Sequence, residues 1–319
     1  MDRFRRLADG TVAATFLLIL VGGVVRVSDS GLGCGPAGSG THGWPLCGGR
    51  LLPFLDAPKE AIEFSHRILA AIVGLMILAL AVWALRRLRD RKPIVRAAVA
   101  ALVLVLVQGV LGGLTVEHGL DEALVAAHLV LAMLLLALLL VISWAARAEQ
   151  APPGPAAAGL RPLAILAATL VLAAIGSGGY MAGTEARGTA GFEPGQGAHL
   201  ACGKEFPTCN GALLPFGSDR LVDIHLTHRV LMLLATIAVL ALVGLGHRRR
   251  IGRHEALSAA GTLLLLQLML GGMNVWLGEH ATLVIAHLGV GTLLWATLVV
   301  AGLRLGPTPS NGRTAWKPA

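Results

Sequence analysis

Apolar residues in this chain gather in long uninterrupted blocks separated by short polar connections, with no sustained alternation of the kind a half-buried strand shows. A hydrocarbon core about 30 Å thick needs about 20 apolar residues at 1.5 Å per residue, and eight blocks approach or reach that length. They lie at residues 11–27, 64–85, 97–116, 123–144, 163–183, 226–246, 256–277 and 282–303. The first block is slightly short and follows a basic stretch, the pattern also of a cleaved signal peptide. No small-x-small cleavage site precedes Arg26, and the repeat described next uses this block, so it is read as a helix.

A repeat organises the blocks. Cys47-Gly-Gly-Arg-Leu-Leu-Pro-Phe54 recurs as Cys209-Asn-Gly-Ala-Leu-Leu-Pro-Phe216, and the same shift of 162 carries Ser65-His66-Arg67 onto Thr227-His228-Arg229. A shift of 159 carries Gln108, Leu111-Gly112-Gly113 and His128-Leu129 onto Gln267, Leu270-Gly271-Gly272 and His287-Leu288. Gly22-Gly23 with Ser28-Asp29 resembles Gly178-Gly179 with Thr184-Glu185. Four crossings per half is an even number, so both halves enter from the same side and form parallel repeats. The expected fold is an all-α polytopic membrane protein, its eight transmembrane helices arranged as two parallel pseudo-symmetric four-helix bundles. Residues 1–150 and 160–319 form the halves, joined by the Ala-, Pro- and Gly-rich linker 151–159. The glycines at 109, 112, 113, 271 and 272 either allow close helix approach in lipid or clear room for a flat ligand.

Composition agrees: 55% hydrophobic and 14% charged residues, with a mean hydropathy of +0.73, exclude an ordinary soluble domain of 319 residues. The net charge of +8 does not imply nucleic acid, because the basic residues are placed by topology. The N-terminal tail, residues 86–96, 145–162 and 247–255 and the C-terminal tail hold 18 of the 26 Lys and Arg but 5 of the 18 acids. The positive-inside rule then puts both termini in the cytoplasm and the long loops 28–63 and 184–225 outside, in a multi-pass protein of the cell inner (plasma) membrane. All four cysteines fall in those outward loops, as Cys34 with Cys47 and Cys202 with Cys209. An oxidising exterior and one pair per loop argue for a disulfide in each, as a structural clamp or, if exposed and strained, a redox centre.

Six of the eleven histidines, His66, His118, His128, His225, His228 and His287, stand at or near the outer ends of the blocks. Such side chains are costly in lipid and usually face the bundle interior for function. His66 opens the second block and His128 lies about two turns into the fourth. His228 and His287 repeat that placement, so each half brings two imidazoles to similar depth on helices that can face each other. Opposed imidazoles in a bundle hold heme iron axially. Zinc wants three or four clustered ligands, and the outer cysteines lie too far off in depth to complete such a set. Arg67 and Arg229, each directly after a histidine, either bind heme propionates or snorkel to the interface. Glu63 lies one turn before His66, where the second half has His225; a carboxylate there suits proton transfer, or simply favours the helix dipole. That asymmetry suggests one catalytic half and one electron-relay half.

The Glu63-Phe-Ser-His66-Arg67 segment, the Ser30-Gly-Leu-Gly-Cys34 and Trp44-Pro-Leu-Cys47 loop, the Gln108 to Gly113 stretch and the four repeated histidines together resemble the heme A synthase family, of the bacterial type with paired loop cysteines. The resemblance covers nearly the whole chain. It implies an oxidoreductase that converts the C8 methyl of heme O, through hydroxylated intermediates, to the formyl group of heme A for terminal oxidases. It implies that His66 and His128 hold the substrate heme O with Glu63 as the catalytic carboxylate, and that His228 and His287 bind a permanent heme b. It also implies a Cys34–Cys47 disulfide, and as partners an electron acceptor and a heme O synthase beside the membrane lipid. Two departures stand out: the first loop is lengthened by residues 35–43, and His225 gives the second half a competing ligand. On the residues alone, a two-heme bis-histidine electron-transfer cytochrome would use the same four histidines. A transporter would show broken helices, which no crossing does.

Overall fold

The computed structural model describes residues 1–52, 57–147, 154–184, 197–249, 254–278 and 280–306. Those residues are all-helical, with two isolated bridges and no strand. The helices are α1 (Asp2–Val27), α2 (Pro58–Arg87), α3 (Lys92–Glu117), α4 (Glu122–Ala145), the single turn α5 (Pro155–Ala158), α6 (Arg161–Gly183), α7 (Arg220–Arg248), α8 (His254–Leu277) and α9 (Ala281–Arg304). Eight of them are long and apolar enough to cross a membrane. Most start earlier than the apolar blocks, because a helix continues through polar residues once its hydrogen-bond ladder is running. α2 begins at Pro58, whose fixed φ and missing N–H suit the first turn, and α4 begins behind Asp121, whose carboxylate accepts from the N–H groups of Ala123 and Leu124.

α1 packs on α2 and α4, and α3 on α2 and α4, which closes a ring of four. α6 to α9 close a second ring by the corresponding contacts, α6 touching α7 and α9, and α8 touching α7 and α9. The rings meet along α4 with α6 and α9, and α1 with α9. Of the linker, residues 151–153 lie outside the described residues, and the α5 turn does not stand free: Ala157 and Leu160 join the core of the second ring.

The core is uneven along the helix axes, and this positions the site. Toward the end where α1 begins the first ring is filled by Phe4, Val73, Ile77, Leu80, Leu139 and Ile142, all essentially inaccessible. In lipid this packing is held by dispersion contacts, since the surrounding tails are as apolar as the core. Between Glu63 and Val73 on α2, and between Glu122 and Met133 on α4, no side chain is fully buried. The second ring shows the same thinning between Val171 and Gly179 on α6 and before Gly289 on α9. His66, His128 and His287 stand at that level, whereas on α7 the buried His225, Leu226 and Arg229 flank His228.

Candidate heme-binding site

Helix geometry sets the depth of the rings. His66 stands eight residues after the start of α2 and His228 eight after the start of α7, about 12 Å along the axis. His128 and His287 stand six residues into α4 and α9, about 9 Å in. His66 therefore does not open its helix as the apolar block suggested; it lies two turns inside, because Pro58 starts the helix earlier. Within each ring the two histidines come within range of each other's charge, His66 with His128 and His228 with His287.

Each ring lies over a glycine of the neighbouring helix. A methyl group built on Gly22 of α1 would sit 3.2 Å from Cε1 of His66. Gly112 of α3 stands in the same relation to His128, Gly178 of α6 to His228 and Gly271 of α8 to His287, all at 3.2 Å. These glycines thus clear room for the imidazoles themselves, which explains why Gly112 and Gly271 both stand 16 residues before their histidines and why Gly22 recurs as Gly178. Nδ1 of His66, His128 and His287 is buried without a hydrogen-bond partner, whereas Nδ1 of His228 meets Ser177 Oγ and the Ala174 carbonyl, each at 3.0 Å. The two repeat-related glutamines differ as well. Gln108 Nε2 donates to the His128 carbonyl at 3.0 Å, while Gln267 Nε2 lies 3.2 Å from His287 Nε2.

Above the rings the disulfide loops are tied to the histidine helices. Cys34–Cys47 and Cys202–Cys209 are both formed, at S–S distances of 1.95 and 2.05 Å. After each second cysteine the chain reverses through two residues with positive φ, Gly48-Gly49 and Asn210-Gly211, closed by paired hydrogen bonds of Cys47 with Arg50 and Cys209 with Ala212. A two-residue reversal of this kind demands Gly or Asn, the physical content of the repeated Cys-x-Gly motif. Arg67 donates to the Leu46 carbonyl and Arg229 to the equivalent Thr208 carbonyl, both at 2.9 Å. Arg229 also reaches the Glu205 carbonyl at 2.7 Å and lies 5.3 Å from the Phe206 ring centroid. The arginines therefore neither snorkel nor stand free: they hold the loops. Arg229 Nε remains a buried donor without a partner.

Glu63 is buried, 3% exposed, and joins the same scaffold: Oε2 accepts from the Cys34 N–H at 2.7 Å and Oε1 pairs with Arg67. His225 fills the equivalent place by donating from Nδ1 to the Ala198 carbonyl at 2.8 Å. His118, by contrast, sits exposed at the end of α3, bonded to its own helix at the Leu114 carbonyl. Trp44 of the first loop covers Gly113, a contact that sequence reasoning missed. Ser177 was missed too, since it has no counterpart in the first half, where Val21 stands beside Gly22. Among the described residues no three His, Cys, Asp or Glu gather as metal ligands, which leaves paired imidazoles as the arrangement on offer.

The fold and the site define a polytopic helical membrane protein in which each ring of four helices carries a pair of histidines set against glycines. The chain belongs to the cytochrome oxidase assembly protein family, whose model matches residues 5–299. It is 29% identical over 294 residues to the heme A synthase of Alkalihalophilus pseudofirmus, spanning 90% of this chain and 92% of that one. The heme A synthase of Halalkalibacterium halodurans is 29% identical over 299 residues, 91% and 93% of the two chains. That of Symbiobacterium thermophilum is 30% identical over 252 residues, 76% and 75%.

Proposed function

We propose that this protein is a heme A synthase, which oxidises the C8 methyl of heme O to the formyl group of heme A for a terminal oxidase. The observation that carries the reading is the pair of histidines inside each four-helix ring, every imidazole lying against a glycine of a neighbouring helix. A heme iron would take nitrogen ligands, so the two imidazoles that each ring brings together would fit it in donor set. The orphaned Nε–H of Arg229 adds a buried donor suited to an anionic ligand group.

In this reading His66 and His128 hold heme O as the substrate, and His228 and His287 hold heme b. Heme b, when bound, supplies one-electron redox chemistry. Glu63 is the first half's distinctive group, a buried carboxylate beside the His66 turn that would hold or move a proton there. Its bonds to Cys34 and Arg67 hold it against the histidine turn, so the loop disulfide orients the carboxylate as well as closing the outer end. The asymmetric charge of the connections supports an inner (plasma) membrane protein with both termini cytoplasmic and the cysteines outside. A heme O synthase as supplier and a membrane electron acceptor complete the proposed partners.

The test is expression with and without a source of heme O, followed by chromatography and mass analysis of the extracted hemes. Heme A and hydroxylated heme O are expected with wild-type protein, and unmodified heme O with Glu63→Gln. Unmodified hemes in the wild type would overturn the synthase reading, and no heme under either condition would overturn the site.

A further inference from the structure

The four histidines are alike in their glycine contact, and one of them, His228, differs in what its second nitrogen meets. Around His228 the hydrogens can be assigned. Ser177 donates its hydroxyl hydrogen to the Ala174 carbonyl at 2.9 Å. That leaves an oxygen lone pair on Ser177, and a carbonyl on Ala174, facing His228 Nδ1 at 3.0 Å each. Both are acceptors, so Nδ1 carries the hydrogen and Nε2 keeps its lone pair. The ring is oriented and its tautomer set for ligation before any ligand arrives. His66 has the same glycine beneath it, but the position equivalent to Ser177 is Val21 and its Nδ1 is buried without a partner. Nδ1 of His128 and of His287 lacks a partner as well, so His228 alone of the four is held at its second nitrogen, and the two halves differ at the His66/His228 pair.

An N–H to oxygen bond behind a ligating imidazole raises its basicity and fixes its angle, and such outer partners are worth about 10- to 100-fold in affinity. A group that must be replaced every turnover is better served without it. We infer that Ser177 is a positioning residue for His228 that makes the second half the retaining heme site, while Val21 leaves His66 an unassisted ligand from which heme can be exchanged. This rests on the reading of these histidines as heme ligands, and adds to it the residue that separates the two sites.

The experiment compares wild-type protein with Ser177→Ala, Ser177→Thr and Val21→Ser, each loaded with heme and purified in detergent. Heme loss to excess apomyoglobin is followed at the Soret band, the hemes left behind are identified by mass, and midpoint potentials are taken by redox titration. Ser177→Ala should speed heme b loss about tenfold, the low end of the range because the Ala174 carbonyl remains an acceptor, and should raise that heme's potential. Ser177→Thr keeps the hydroxyl and should restore both values. Val21→Ser should slow loss from the first half by a similar factor. The inference is overturned if loss rate and potential stay at wild-type values in Ser177→Ala, or if Ser177→Thr behaves as the alanine variant. Should Ser177→Ala fail to fold, Val21→Ser decides: slower loss supports the inference and an unchanged rate overturns it. Wild-type protein that binds no heme would sink the ligand reading itself, an outcome distinct from heme-loaded protein indifferent to Ser177.

Discussion

At the scale of single residues, the arrangement turns on what glycine omits. Gly22, Gly112, Gly178 and Gly271 each stand where one added methyl group would press on an imidazole at 3.2 Å, closer than most side chains tolerate. An alanine there forces a shift of a few tenths of an ångström; a branched side chain forces the ring away. Gly112→Val is therefore expected to displace His128 and abolish heme binding in the first half while leaving the second half's heme spectrum intact. Overpacking of this kind costs about 1–3 kcal/mol, small enough that the protein should still be recovered from membranes. Equal loss from both halves would show that the glycine acts on global packing and not on its own ring.

At the scale of elements, the disulfide loops depend on helices α2 and α7 for their shape. Arg229 supplies hydrogen bonds to the carbonyls of Glu205 and Thr208, and its buried position leaves those acceptors with nothing to replace it. Arg229→Ala should destabilise the loop by about 1–3 kcal/mol for the buried groups it strands. The Cys202–Cys209 bond should then be reduced faster by dithiothreitol, as read by thiol labelling. Arg67→Ala removes the partner of a buried carboxylate, and breaking a buried ion pair costs about 3–5 kcal/mol. A lower melting temperature in detergent is expected, and Arg67→Ala with Glu63→Gln should recover part of it, since the stranded charge is gone. A double variant no more stable than the single one would remove the ion pair from the account.

At the scale of the whole molecule, the two rings exchange leucines. Gly23, next to the glycine under His66, receives Leu288, the residue after His287; Gly179, next to the glycine under His228, receives Leu129, the residue after His128. Each Gly-Gly pair thus serves its own histidine with one residue and the opposite half with the other. Arg26 reinforces the seam by donating to the Ala182 carbonyl, and Arg220 by pairing with Glu122 at 2.5 Å. Two chains covering residues 1–150 and 160–319 should accordingly co-purify when expressed together. Gly23→Leu combined with Gly179→Leu should separate them, because close backbone approach is what holds helices together in lipid. Co-purification undiminished by the double change would place the adhesion elsewhere.

The eight crossings, the repeat and the histidines at its fixed offsets were legible in the sequence, for a physical reason. Lipid forces each crossing to be a long apolar helix that satisfies its own backbone, so composition alone marks it, and the repeat doubles every signal. The cysteine pairing was legible because each loop holds one pair. The tertiary structure decided what depends on distances across the bundles: that the arginines grip loop carbonyls, that Glu63 and His225 tie different backbone groups, and that Val21 and Ser177 part the two halves. Residues far apart along the chain meet there within a hydrogen bond's length, and no periodicity in one dimension encodes which acceptor a side chain will find.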